Sequence, residues 1–243
     1  MRKKRYAGSA EKPYKSASKG TKLMTEASSR DIEARVESLD WDVLARDLDS
    51  IGYTTTGPFL SPSECAALIA CYENEADFRR RVVMHHHGYG QGEYQYFAYP
   101  LPDLVSDLRR ALYPPLAAIA NRWNETLNIE ARYPAAHAAY RDHCHALGQT
   151  RPTPLLLRYG PGDYNRLHQD LYGEEVFPLQ AAFLLSRPGD DFTGGEFILT
   201  EQRPRMQSRA EVVPLVQGEA VIFPVRERPA EGKRGYHRVA MRH

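Results

Sequence analysis

The chain has 243 residues, of which 42% are hydrophobic and 26% are charged, and its formal net charge at pH 7 is +1. These proportions are typical of a globular protein and exclude a disordered or collagen-like chain. No apolar stretch reaches the roughly 20 residues of a membrane-spanning helix, and the N-terminus lacks the apolar segment of a secretory signal. The odd number of cysteines, Cys65, Cys71 and Cys144, argues against a disulfide framework, so we expect reduced thiols and a cytoplasmic location.

The N-terminal segment is strongly basic. Residues 1–22 contain eight Lys or Arg and one Glu, so the remainder of the chain is net acidic. We predict a flexible basic tail over residues 1–28. A run such as Arg2-Lys3-Lys4-Arg5 can bind phosphates by releasing counterions, although basic tails are also ordinary solubilising ends. The tail makes nucleic acid a candidate partner.

Residues 29–150 are predicted to form a helical support region. Apolar residues recur with mostly helical spacing between Ser29 and Leu48, which indicates one or two short helices, and residues 51–53 are expected to begin a strand. Ser61-Pro62-Ser63-Glu64 is typical of a helix start, with Ser61 as N-cap and Pro62 at the first position. Two further helices are predicted over residues 104–112 and 116–127.

Three stretches of this region contain residues that could carry chemistry. His85-His86-His87 resembles a metal tract, but no carboxylate stands at ligand spacing, so a polar loop is the better interpretation. The aromatic residues of 88–97 could stack on an unpaired base, or they could form a strand edge on the core. His137, His143 and His145 surround Cys144 without an evident fourth ligand, which favours a surface helix.

The C-terminal part, residues 151–243, predicts short strands separated by turns. Apolar runs occur at residues 155–157, 181–185, 197–199, 212–215 and 220–223, and Gly160-Pro161-Gly162 marks a turn. This spacing is typical of a β-sandwich or barrel, and a jelly roll offers a cavity between its sheets. We therefore predict an α+β fold with a jelly-roll core over residues 151–243. Arg203, Arg205 and Arg209 lie in one of its connections, where they could grip substrate phosphates or stay solvated.

His168-Gln169-Asp170 is the most informative motif of the core. On a strand, residues i and i+2 point to the same face, so the imidazole and the carboxylate can converge on one ion while Gln169 points away. Two histidines and one carboxylate are the ligand set of non-haem Fe(II) oxygenases. The third ligand should be a later histidine, and both His237 and His243 fit the local pattern.

The motif and its surroundings resemble the Fe(II)/2-oxoglutarate-dependent dioxygenase superfamily. The resemblance covers roughly residues 150–243 and includes the His-x-Asp motif, the strand Gly194-Gly195-Glu196 and a distal histidine. It implies a double-stranded β-helix core that holds Fe(II), with 2-oxoglutarate and O2 as co-substrates. The position that resembles the family's distal ligand is His243, so the resemblance implies His168, Asp170 and His243 as catalytic metal ligands.

The segment Arg158-Tyr159-Gly160-Pro161-Gly162 is similar to the AlkB-type oxidative demethylases, which carry an Asn-Arg-Tyr-x-Pro-Gly run at the same interval before the motif. The tyrosine of that run contacts 2-oxoglutarate, so the resemblance implies this role for Tyr159. Leu157 replaces the asparagine of the run. The stretches 169–173, 192–197 and 202–209 are also similar to a bacterial family of dioxygenases predicted to modify nucleic acids.

In this superfamily an arginine on the final strand, about ten residues after the distal histidine, pairs with the far carboxylate of 2-oxoglutarate. With His243 as the ligand, we expect the core to lack this last strand, and only Arg238 and Arg242 lie close in sequence as substitutes. A missing strand would leave a sheet edge exposed.

The resemblance implies an Fe(II)/2-oxoglutarate dioxygenase that demethylates or hydroxylates nucleic-acid bases. A first alternative is a protein or small-molecule hydroxylase of the same superfamily, which the acidic body of the chain favours. A second is a noncatalytic nucleic-acid-associated module with a truncated core, which the missing arginine favours. The oligomeric state is not determined by the sequence.

Overall fold

The computed structural model describes residues 31–171, 173–232 and 235–243. The helices in these ranges are α1 (31–37), α2 (Trp41–Ser50), α3 (Pro62–Cys71), α4 (Asp103–Thr126) and α5 (His137–Ala146). The strands are β1 (Thr54–Pro58), β2 (Phe78–Val83), β3 (Gly90–Gln91), β4 (Glu93–Phe97), β5 (Leu155–Arg158), β6 (Tyr164–Asn165), β7 (Leu179–Phe183), β8 (Phe197–Gln202), β9 (Arg209–Val213), β10 (Glu219–Pro224), β11 (Glu227–Gly232) and β12 (Gly235–Arg242). The predicted tail lies outside the described residues.

The strands form four sheets, and every paired neighbour within them is antiparallel. Their strand orders are β1-β10-β7, β11-β12-β8-β9, β2-β4-β5 and β3-β6. The fold is therefore a mixture of helices and antiparallel strands, as the sequence predicted. No helix in the described ranges is both long enough and apolar enough to cross a membrane.

Strand β10 separates two hydrophobic cores. All six of its residues are buried, because one face packs on helices and the other on a second sheet. Ile222 belongs to a core with Leu48, Leu68 and Leu112 of the helices. Val221 and Phe223 point the opposite way, toward β8 and β9, and Phe223 lies 5.2 Å from Phe197 between ring centroids. Alternation along one strand thus builds a helix layer on one side and a sheet-on-sheet core on the other.

The predicted start of α3 is confirmed. Ser61 is the N-cap, its hydroxyl accepts from the Glu64 backbone N–H, and Pro62 occupies the first turn. The carboxylate of Glu64 accepts in return from the Ser61 backbone N–H, at 2.8 Å, which completes a capping box. Local side-chain chemistry alone therefore determines where this helix begins.

The prediction of two helices around residues 104–127 was wrong in one respect, because α4 runs without a break through Pro114 and Pro115. Each proline removes a backbone donor and would by itself favour a break. Leu112, Tyr113, Leu116 and their neighbours on both sides of the prolines are buried in the core, so tertiary packing holds the helix continuous. The strand expected to begin at residue 51 begins three residues later, at Thr54.

The structure also shows the exposure of the other three stretches considered in the helical region. His85–His87 form an exposed 3-10 turn with Met84. Helix α5 buries none of its residues, which confirms a surface helix. The aromatic stretch divides: Tyr94, Tyr96 and Phe97 are buried, whereas Tyr89 is exposed. All three cysteines are free.

Candidate metal centre

The His-x-Asp motif is brought to the C-terminal end of β12 by backbone pairing. After the turn at 160–163, β6 pairs with β3, and the chain then reaches His168. The backbone N–H of His168 donates to the carbonyl of His243 at 2.9 Å, and the N–H of His243 donates to the carbonyl of His168 at 3.2 Å. Residues that exchange both hydrogen bonds are directly opposite one another in an antiparallel pair, so their side chains project from the same face.

The three side chains His168, Asp170 and His243 meet on that face. Nε2 of His168 lies 3.5 Å from Oδ1 of Asp170, and Nε2 of His243 lies 3.4 Å from Oδ2 of the same carboxylate. One donor atom from each residue falls within 4.8 Å of the other two, and this is the group found among the described residues that could hold a metal ion. The structure therefore brings together the three residues that the resemblance implied.

The imidazole of His168 is oriented for a ligand role. Its Nδ1 lies 2.8 Å from the carbonyl oxygen of Arg166. A carbonyl accepts only, so Nδ1 is the nitrogen that donates to it, and Nε2 is the nitrogen that faces Asp170. Metal-binding histidines are commonly fixed through their second nitrogen in this way.

Gln169 lies between His168 and Asp170 in the sequence, but its side chain is turned away from the group of candidate ligands. Its amide nitrogen donates to the carbonyls of Arg226 and Met241, both at 2.8 Å. The side chain thus ties the motif to the start of β11 and the end of β12. This contact holds His168 and Asp170 against the strand that ends in His243.

His243 is held by packing. Its ring lies 4.7 Å from the ring of Phe223 and stacks at 6.2 Å on Phe197, between centroids. Its Nδ1 is buried without a hydrogen-bond partner among the described residues. The two phenylalanines belong to the core between the sheets, so the group of three lies at the edge of an apolar interior.

The charged groups of the site shift one another's pKa values. Burial alone would raise the pKa of Asp170, but the two adjacent imidazoles hold it far below its usual range. The Asp170 carboxylate in turn raises the pKa of His168, against the opposing effect of burial. Burial raises the pKa of Tyr94 well above its usual range, and the negative charge of Asp170 adds to this effect, which places Tyr94 within electrostatic reach of the group.

His237, the other candidate for the distal position, lies elsewhere on β12. It faces Ala230 across the β11–β12 pair, six residues before His243. Even residue spacing puts both histidines on the same face, but six residues of strand separate them by about 20 Å. The backbone pairing therefore places His243, rather than His237, beside His168.

The two arginines considered as substitutes for the co-substrate arginine point away from the group. Arg238 and Arg242 alternate with His237, Val239, Met241 and His243 along β12, so they project from its other face. Arg238 pairs with Glu227 at 3.2 Å. Tyr159 makes no hydrogen bond or ring contact with the group among the described residues, and it lines an open cleft of about 540 Å³ beside Gly92 and Arg158.

The donor set suits a divalent transition metal. Two imidazoles and one carboxylate form the facial triad of non-haem Fe(II) enzymes. Ligands at right angles around such an ion stand about 3 Å apart, close to the separations in this chain. The sequence predicted these three residues. It did not predict the contact of Gln169 with Arg226 or the packing of Phe197 and Phe223 on His243, because these contacts depend on strand pairing.

Of the other arginines considered, Arg203 and Arg209 face a carboxylate. Arg203 lies 2.8 Å and Arg209 lies 3.9 Å from Glu201. Arg205 forms no ion pair with the described residues. Two of the three are therefore engaged within the protein.

The chain is similar to several known proteins. Two uncharacterized proteins from strains of Mycobacterium tuberculosis are each 49% identical over 147 residues, which is 60% of this chain and 63% of theirs. The chain thus matches less than two thirds of the length of these relatives. A crystal structure of a Pseudomonas putida prolyl-4-hydroxylase superposes with a TM-score of 0.47 at 17% identity, covering 83% of this chain and 94% of that chain.

A family of oxygenases matches residues 92–243, well over half of the chain, and includes all three residues of the candidate metal centre. The family, Oxygenase-NA, is described as an oxygenase "catalysing oxidative methylation of damaged DNA". The chain therefore belongs to this oxygenase family.

Proposed function

We propose that the protein is an Fe(II)/2-oxoglutarate-dependent dioxygenase that oxidises a nucleic-acid base. The observation that carries this proposal is the convergence of His168, Asp170 and His243, with one donor atom each within 4.8 Å. Their position at the edge of two packed antiparallel sheets supports a double-stranded β-helix as the core architecture. The description of the family supports nucleic acid as the substrate.

His168, Asp170 and His243 would hold Fe(II), which with 2-oxoglutarate and O2 supplies the oxidising power to hydroxylate a C–H bond. Hydroxylation of an N-methyl group releases formaldehyde, so hydroxylation of a methylated base results in demethylation. The protein contributes ligands, orientation and exclusion of water. Arg166 fixes the His168 tautomer, Gln169 holds the motif against β12, and Phe197 and Phe223 keep water from one side. Tyr159 is proposed to hydrogen-bond 2-oxoglutarate, on the strength of the motif that surrounds it.

The decisive experiment measures succinate formed from 2-oxoglutarate after O2 is admitted to protein loaded anaerobically with Fe(II). We expect turnover in the wild type and its loss in His168→Ala and His243→Ala. His237→Ala is the matched control, because it removes an imidazole from the same face of the same strand, and it should retain turnover. Loss in His237→Ala with retention in His243→Ala would overturn the assignment of the distal ligand.

Adding methylated single-stranded DNA distinguishes the alternatives. Stimulated succinate formation together with released formaldehyde supports a base demethylase. Turnover that DNA does not change favours a protein or small-molecule hydroxylase. Absence of turnover under every condition would contradict the enzymatic proposal and favour a noncatalytic module, a reading that gains support from Arg238 and Arg242 facing away from the metal centre.

A further inference from the structure

We propose that the mouth of the metal centre binds single-stranded nucleic acid, with Arg166 and Arg226 contacting phosphates and Tyr89 stacking on a base. This inference rests on the proposed function and specifies how its substrate is held. It arises from unpaired arginines and an exposed ring around the three candidate ligands.

The metal centre is open on one side. The side chain of His168 is 34% exposed, that of Asp170 is 20% exposed and that of His243 is 10% exposed. Phe197 and Phe223 close the His243 side. A substrate therefore approaches over His168, and the residues that flank His168 decide what can bind there.

Arg166 lies two residues before His168 and contacts its ring. Its backbone N–H donates to the carbonyl of Tyr89 at 2.8 Å, and its own carbonyl accepts from His168. The backbone at Arg166 is thus fixed at both ends, while the side chain is exposed and forms no ion pair or hydrogen bond within the described ranges. A guanidinium held beside a metal centre without an internal partner is available to an anion.

Arg226 adjoins the motif through its backbone carbonyl. Its carbonyl accepts from the Met241 N–H at 2.8 Å and from the Gln169 amide at 2.8 Å, so it lies opposite Met241 and beside the motif. Residues opposite one another share a face, and a residue two places further on, His243, is a diagonal neighbour about 7–8 Å away. The exposed Arg226 side chain has no ion-pair or hydrogen-bond partner in the part of the chain that the structure describes.

An aromatic surface adjoins these charges. Tyr89 is 49% exposed and stacks on His87 with ring centroids 5.3 Å apart at 23°. Its carbonyl accepts from the Arg166 backbone N–H, so Tyr89 and Arg166 lie opposite one another beside the β3–β6 pair. Leu167 is also exposed beside them. Arginine interleaved with exposed rings is the composition that binds single strands, because phosphates meet the cations and unpaired bases stack on the rings.

This surface suits a single strand of nucleic acid better than it suits the carboxylate of the co-substrate. Both arginines are exposed and come from separate segments, which suits an extended polyanion that passes over the opening. A duplex would keep its bases stacked inside and leave Tyr89 without a partner, whereas an unpaired base can enter toward the metal centre.

The test measures binding of a fluorescently labelled oligo(dT) to the full chain by anisotropy, without Fe(II) or 2-oxoglutarate. Arg166→Gln and Arg226→Gln should each weaken binding, and together they should lower the slope of log affinity against log salt by about 1.4, since each phosphate contact on a single strand contributes about 0.7. Tyr89→Ala should weaken binding between about 5-fold and 100-fold. Arg46→Gln removes an exposed arginine of α2 and serves as the charge-matched control.

Because the measurement needs no turnover, a failure of the proposed activity and a failure of this inference are distinguishable. The basic N-terminal segment is present in every variant, so only differences between variants are read. Binding that the Arg166 and Arg226 variants lower no more than Arg46→Gln would overturn the inference, as would equal affinity for double-stranded DNA. A raised KM for 2-oxoglutarate with unchanged oligonucleotide binding would assign the two arginines to the co-substrate instead.

Discussion

Glu201 is a carboxylate buried among arginines inside the sheet of β8 and β12. Its Oε2 lies 2.6 Å from the fully buried Arg228, and its Oε1 accepts from Arg203 at 2.8 Å. Burial alone would raise the pKa of Glu201, but the two guanidinium groups lower it below its usual value. Arg228 also donates to the carbonyl of Asp49 at 2.7 Å, in the last turn of α2. This ion pair therefore joins the sheet to the negative end of a helix dipole.

Removing the Glu201 carboxylate should lower the free energy of unfolding. Glu201→Gln leaves Arg228 buried without its counter-charge, and breaking a buried pair in this way destabilises proteins by about 3–5 kcal/mol. Glu227→Gln is the control, because its pair with Arg238 is partly exposed and should contribute about 0–1 kcal/mol. Urea unfolding of both variants gives the two values. Similar losses of unfolding free energy would contradict the assigned role of Glu201.

At the scale of elements, α3 depends on one carboxylate. Glu64 accepts from the backbone N–H and the hydroxyl of Ser61, at 2.8 and 2.9 Å, and from two nitrogens of Arg35, at 2.9 and 2.6 Å. The hydrogen bonds of Arg35, opposed by burial and assisted by Ser61, lower the pKa of Glu64 to about 2. One side chain thus caps α3 and attaches it to α1.

This shift predicts a pH dependence of stability. A depressed folded-state pKa gives stability that is complete above the unfolded pKa of about 4.5 and is lost as the pH falls through about 2. Glu64→Gln should therefore reduce the unfolding free energy by about 1–3 kcal/mol at pH 7, and the difference from wild type should shrink between about pH 4.5 and pH 2. Denaturant unfolding across this range measures it. A difference that stays constant with pH would refute the explanation.

At the scale of the whole molecule, β10 lies between the helix layer and the candidate metal centre. Ile222 packs into the core formed by the helices, whereas its neighbour Phe223 contacts the ring of His243 at 4.7 Å. Two adjacent residues thus serve different purposes, because successive side chains on a strand point to opposite faces.

Substitutions at these two positions should separate stability from metal binding. Ile222→Ala should destabilise the protein by about 2–5 kcal/mol and leave metal affinity unchanged, whereas Phe223→Ala should lose about 3–5 kcal/mol and also weaken metal binding. Thermal unfolding gives the first quantity, and anaerobic titration with Co(II), followed by its visible spectrum, gives the second. Equal metal affinity in the two variants would indicate that Phe223 does not position His243.

Local features of the sequence determined much of what the structure contains. The Ser61 to Glu64 segment predicts the start of α3, because its capping bonds join residues three apart. The turn at 160–163 and the pairing of His168 with Asp170 follow in the same way from short-range geometry. These features need no knowledge of distant parts of the chain.

Tertiary structure decided the rest. His237 and His243 have the same local pattern, and only the pairing of His243 with His168 brings one of them to the motif, because strand register is set by long-range contacts. Helix α4 continues through two prolines because both of its halves are buried. Arg226 lies more than fifty residues from Gln169 in sequence and adjoins it through a single side-chain contact. Such proximities arise from packing of the whole chain, which no short stretch of sequence encodes.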